Sequence, residues 1–148
     1  SCQCVRFKKC PIVLIANTPK GKRLKIFHTP NILVARNGYA GTMTYVASGE
    51  YTTNDHAYVL TVRKEWKDKI NLEWFKYEYQ ELFFRIVTSK SDNATFNKEY
   101  AEKQIIRIPH IDYQNSMVAK LNEVNTLLAE VSSTSKRVEQ LIECAFAV

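Results

Sequence analysis

No apolar run in this 148-residue chain approaches the ~20 residues of a membrane-spanning helix. The N-terminus has no signal-peptide h-region followed by a small-residue cleavage site, although Pro11–Ala16 is short and apolar. These absences lead us to expect a cytoplasmic protein that is not membrane-bound. Cysteine is sparse: Cys2, Cys4 and Cys10 form C-x-C-x5-C, which is not the C-x2-C pair of a zinc knuckle, and Cys144 stands far away. Free reduced thiols are the expectation, with a shared zinc site as the alternative. His28, His56 and His110 show no metal-ligand spacing, so neither metal nor cofactor is expected. Gly-x-Ser-x-Gly and His-Glu-x-x-His are absent, as are internal repeats and low-complexity segments.

What is present is organised around the last quarter. From Met117 on, small or apolar residues recur in strict 4-3 spacing: Met117, Leu121, Val124, Leu128, Val131, Ser135, Val138, Ile142 and Ala145. Leu127 and Leu141 widen this seam. A heptad pattern held for four repeats predicts a coiled coil. Asp112 to about Ala147 contains no glycine or proline. A helix of that length reaches roughly 54 Å. The rest of the chain is too small to bury such a stripe and offers no second long helix. The seam therefore predicts a partner chain, most simply a homodimer through Met117, Leu121, Val124, Leu128, Val131, Val138 and Ile142. The alternative is a helix broken near Ser132–Ser135 and folded back.

Charge divides the chain at the same place. Residues 112–148 hold three basic and five acidic side chains, whereas residues 1–111 hold eighteen and ten. A head of net charge +8 points to a polyanion, most often nucleic acid. Ordinary solubilising charge is the bland alternative. We thus expect two parts, a head over 1–111 and a helix over 112–148.

Within the head, Ser1–Cys10 carries no periodic signal. Pro11–Ala16 reads as a buried strand and Leu24–Phe27 as a second. Ile32–Arg36 is a strand, Asn37-Gly38 a tight turn, and Thr42–Ala47 the returning strand, with Gly41 allowing a second unusual backbone angle. His56–Arg63 is a further strand and Lys64–Lys69 a charged connector. Asn71 caps a helix over about Leu72–Val87, with Leu72, Phe75, Tyr79, Leu82, Phe83 and Ile86 on its core face. A polar loop over Thr88–Thr95 follows. Asn97–Lys103 is a short helix, and Gln104–Ile108 a strand that Pro109 ends. The fold class is α+β, a head with a mixed or antiparallel sheet and packed helices, followed by one long coiled-coil helix.

The order of these pieces, ILVARNGYAG, an aromatic helix, IIRIP and a glutamine-bearing start to a heptad helix, resembles a target recognition domain of the specificity subunit of Type I restriction-modification systems. The resemblance runs from about Asn31 to Glu143 and rests on Arg36, Gly38, Gly41, Ile108, Pro109, Gln114 and Val118. It departs where the family's second proline after the Ile-Pro pair is Ile111 or missing, and over the N-terminal third. The family's full subunit has two recognition domains and two helices. One of each here implies a half-subunit, a fragment, or the separated recognition domain of a fused enzyme.

The resemblance implies a non-catalytic reader of one half of a split double-stranded DNA target. Two long helices pair antiparallel as a ruler and hold DNA methyltransferase subunits, with a restriction subunit as a further partner. No Asn/Asp-Pro-Pro-aromatic stretch is present, so the chain is not expected to methylate bases itself. Lys20, Lys22, Arg23 and Lys25 are candidates for phosphate contact. Arg36, Asn37 and Tyr39, then Thr53, Asn54 and His56, then Lys90, Ser91 and Asn93 are loop candidates for bases or backbone. Turn-making is an equal explanation for Asn37 and Asn54. Two rival classes are a metal-dependent nuclease, from Asp55 with Glu65-Trp66-Lys67, and a coiled-coil adaptor that binds only protein.

Overall fold

The computed structural model describes residues 3–6, 12–16, 24–87 and 94–147, the first group by backbone alone. Short, largely apolar runs build the main sheet. Its strands are β2 (Ile12–Ala16), β3 (Asn31–Ala35), β4 (Met43–Val46) and β5 (Ala57–Val62), in the order β2-β5-β3-β4, every pair antiparallel. The register sets Leu14 and Ile32 both opposite Leu60, and Val34 opposite both Met43 and Tyr58. Cross-strand partners share a face, so these residues form one buried layer. On the other face Val59 is also fully buried. Phe27 stacks on Tyr51 near that face, and Tyr51 Oη accepts from Asn31 Nδ2 at 2.6 Å.

Helix α1 (Leu72–Arg85) begins where Asn71 Oδ1 accepts from the Trp74 amide at 3.2 Å. Satisfying one orphan amide in this way is worth about 1 kcal/mol. Phe75, Tyr79 and Phe83 are buried along the predicted stripe, and the edge-on ring pairs Trp74–Tyr79 and Phe75–Phe83 pack there. Trp74 lies off that stripe yet is buried. Beside the helix, burial first and then the Glu73 carboxylate push the Tyr45 hydroxyl above its ordinary pKa.

A short helix α2 (Lys98–Ala101), capped by Asn97, leads into β6 (Ile105–Ile108). β6 pairs antiparallel with β1 (Gln3–Arg6) in a separate two-stranded sheet. That strand falls within Ser1–Cys10, which sequence pattern had left without structure. Leu24–Phe27 departs the other way: among the described residues it forms a single bridge, Phe27 to Tyr51, rather than a strand. Tyr79 Oη fixes β6 by donating to Arg107 O at 2.7 Å and accepting from Arg107 N at 2.8 Å.

The chain divides into two compact units, 1–114 and 115–148. Helix α3 (Ile111–Phe146) begins in the first, where Gln114 is fully buried. Its Nε2 donates to Lys69 O at 2.9 Å and Pro109 O at 2.8 Å, and its Oε1 accepts from Asn71 N at 2.8 Å. The helix runs unbroken through Ser132–Ser135, so the expected alternative of a break there is overturned. Hydroxyl side chains bond back along a helix without breaking it, as Thr126 Oγ1 does to Asn122 O at 2.9 Å. Along the second unit Val124, Leu128, Val131, Val138 and Ile142 are each roughly half exposed or more. No helix among the described residues is long and apolar enough to cross a membrane.

Candidate nucleic-acid interface

The β3–β4 turn is rigid at its base and open at its tip. Gly38 and Gly41 have φ of 68° and 87°, both in the region that L side chains avoid. Gly38 faces open space. A Cβ on Gly41 would stand 2.5 Å from Phe83 O, so only glycine lets the turn lie against the backbone of α1. Gln80 of α1 then clamps it, donating to Gly41 O and accepting from Met43 N, each at 2.9 Å. Inside the turn Gly41 N donates to Ala35 O and Thr42 Oγ1 to Tyr39 O.

Arg36 is held from several sides. Its backbone donates to His56 O and accepts from Phe96 N. Its Nη1 donates to Asp55 O at 2.7 Å, and its guanidinium lies 4.7 Å from the centre of the Tyr58 ring. The geometry makes it a brace between β3 and the start of β5. Lys98 lies 5.7 Å from the same ring. Nothing in the periodicity singled out Lys98 or Tyr58, because only the tertiary fold brings them together.

The tip carries the exposed groups. Tyr39 is 90% exposed. Asn37 bridges to Thr95, and its Nδ2 lies 3.2 Å from His56 Nδ1. The other ring nitrogen, Nε2, lies 3.9 Å from Asp55 Oδ1. Asn54 Oδ1 accepts from His56 N at 3.0 Å, so this asparagine shapes the turn. Thr53 is buried and donates to Asn54 O, a packing position rather than an exposed loop site. The fold thus gathers Arg36, Asn37, Tyr39, Asn54 and His56 at one end of β3 and β5. Lys25 stands elsewhere, bonded through its carbonyl to Thr52 and 5.1 Å from the Phe27 ring. Lys20, Lys22, Arg23, Lys90, Ser91 and Asn93 lie outside the described residues, as do Cys2, the Cys4 side chain and Cys10. Cys144 is exposed and not disulfide-bonded.

The nuclease alternative fails on geometry. Asp55 precedes β5 and Glu65 follows it, on an exposed 3-10 turn (Lys64–Trp66). The six residues of β5 between them span about 20 Å, too far for two carboxylates to share a metal ion. Among the described residues no group of three His, Cys, Asp or Glu could hold one.

Comparison with known proteins supports one assignment. The model of the Type I restriction modification DNA specificity domain matches residues 12–140, starting well before Asn31, where the sequence resemblance was expected to begin. No curated protein sequence matches significantly. Three solved structures share the fold. A chain from a structure concerned with complex assembly and conformational transition of the type I R-M system gives a TM-score of 0.70 at 16% identity, covering 97% of this chain and 43% of that one. The HsdS subunit from Thermoanaerobacter tengcongensis gives 0.62 at 16% identity, covering 87% and 38%. The Type-I restriction-modification S subunit from M. genitalium gives 0.63 at 14% identity, covering 90% and 41%. The chain spans less than half the length of each. With the family model covering both the braced head and most of the long helix, the chain belongs to the Type I restriction-modification DNA specificity domain family.

Proposed function

We propose that the chain reads one half of a split double-stranded DNA target as part of the specificity component of a restriction-modification system. It performs no chemistry itself. The observation that carries this reading is the family match across head and helix alike. The geometry supports it: the β3–β4 turn is clamped to α1, while Asn37, Tyr39 and His56 stand exposed at its end. A fixed backbone with exposed polar and aromatic side chains suits base-edge reading. Lys20, Lys22, Arg23 and Lys25 serve phosphate contact, and Lys90, Ser91 and Asn93 a second loop. Arg36 acts through the turn that it braces.

The exposed stripe on α3 packs against another long helix, from a second copy of this chain or from further chain of the same subunit. The helix pair sets the half-site spacing and carries methyltransferase subunits, with a restriction subunit joining them. Selection of duplexes from a randomised pool at low salt tests the DNA reading. An enriched short motif, bound less tightly as salt rises, supports a sequence reader. Failure to bind any duplex by a sample that self-associates through α3 would instead favour the protein-only adaptor.

A further inference from the structure

Ser132, Ser133, Thr134 and Ser135 lie within the unbroken α3 and put small polar side chains near the middle of its seam. A cavity of about 490 Å³ opens there, lined by Val131, Thr134, Ser135 and Val138 together with Glu130 and Glu139. The first four surround Ser135 as the four-residue hole that accepts one knob of a facing helix. From Val124 to Ile142 the large apolar side chains of the seam are about half exposed or more, whereas Val118 is already buried and Met117 partly so.

The flanks of the seam point to the helix that supplies the knob. In a symmetric pair, if one residue meets a second across the interface, the second meets the first. With the twofold axis at Ser133, the partner's Val131 enters the Ser135 hole. Leu128 then meets the partner's Val138, Val124 the partner's Ile142, and Leu121 the partner's Ala145. Beside the seam, Leu127 meets the partner's Leu141 on one side, and Asn125 the partner's Glu139 on the other. Glu130 comes level with the partner's Arg137. Apolar groups meet apolar ones, polar groups meet polar ones, and opposite charges stand level, along roughly 36 Å of helix. Hydroxyl side chains at the axis let the two backbones approach there. The neighbouring register toward Met117 sets Leu127 against Thr134 and Lys120 against Leu141. An in-register parallel pair sets Leu127 beside Ser132, and stacks valine on valine where two-stranded parallel coils favour leucine.

We infer that α3 pairs antiparallel with α3 of a second copy of this chain, about a twofold axis at Ser133. A foreign helix would not require the seam to match its own reverse. The inference rests on the helix pairing proposed above, and adds its partner and register.

The test is sedimentation of the full chain carrying Leu127→Lys, Leu141→Glu or both. Both leucines are more than half exposed, so the fold tolerates the changes. Each single change sets a charge against leucine at two symmetric places and should weaken self-association about tenfold or more. The double variant should regain association, most fully at low salt, because each lysine then meets the partner's glutamate. A double variant weaker than either single one overturns the register. In a Cys144→Ser background, a Val131→Cys chain mixed with a Ser135→Cys chain should give the mixed disulfide, mapped by peptide mass. Disulfides of each variant only with itself overturn the antiparallel orientation. An unaltered chain that stays monomeric overturns the second copy as partner, and leaves pairing with a helix from further chain of the same subunit standing.

Discussion

Replacing each glycine of the β3–β4 turn with alanine separates backbone strain from close approach. Both residues have positive φ, for which a side chain costs about 1–2 kcal/mol. At Gly38 the new methyl meets nothing within 4 Å. A stiffer unfolded chain offsets about 0.4–1 kcal/mol, leaving a net loss near 1 kcal/mol. At Gly41 the methyl would stand 2.5 Å from Phe83 O and 2.9 Å from Phe83 C, both rigid helix backbone. Overpacking of this kind adds about 1–3 kcal/mol. Moving the turn off α1 also strains the two Gln80 bonds, each worth about 1 kcal/mol. Gly41→Ala should therefore lose about 3–5 kcal/mol, a large share of an ordinary domain's stability. Denaturant unfolding followed by tryptophan fluorescence reads this directly, because Trp74 is buried against Tyr79 in the head. Gln80→Leu alone should lose about 2 kcal/mol, and the Gly41→Ala/Gln80→Leu pair less than the sum, since both changes release the same contact. Equal losses at Gly38 and Gly41, or strict additivity of the pair, would refute the clamp.

Three further outcomes are expected. Gln114→Leu removes three hydrogen bonds, with Asn71 N, Lys69 O and Pro109 O, and should lower head stability by about 2–4 kcal/mol in the same unfolding assay. Leu121→Glu/Leu128→Glu should convert a self-associated chain to monomers in sedimentation while the head unfolds as before; dimers that persist would count against the heptad seam. Tyr39→Ala should leave the unfolding midpoint unchanged, because the side chain is exposed, yet weaken binding to the selected duplex tenfold or more.

Much of the architecture could be read in the residues because local and tertiary preferences agree there. The apolar run begun at Ile32 forms the expected strand, with Ile32 and Val34 fully buried, and Asn71 caps the helix that it was expected to cap. Pro109 ends β6, and a stretch without glycine or proline is one continuous helix. The losses have physical causes. β1 is defined by pairing with β6, about a hundred residues away, which no local pattern encodes. Trp74 is buried off the helical stripe because the aromatic cluster turns it edge-on to Phe75 and Tyr79. α1 stops at Arg85 rather than Val87, since Ile86 leaves helical geometry to stay buried. At the candidate interface, residue type identified Asn37, Tyr39 and His56 as exposed polar or aromatic positions. It could not separate Arg36, which braces, or Thr53, which is buried, from side chains presented to solvent.

Three side chains, Gln80, Tyr79 and Gln114, fasten the head by hydrogen bonds to main-chain groups: Gly41 O and Met43 N, both polar groups of Arg107, and Lys69 O, Pro109 O and Asn71 N. A bond to main chain is indifferent to the side chain above it. Positions such as Lys69 and Arg107 can change identity without losing the bond that secures them, and the turn that carries Asn37 and Tyr39 is anchored to α1 through the main chain of Gly41 and Met43. The framework is thereby insulated from substitutions at the surface. A protein built this way can acquire a new preference by substitution at the tip while inheriting its fold unchanged.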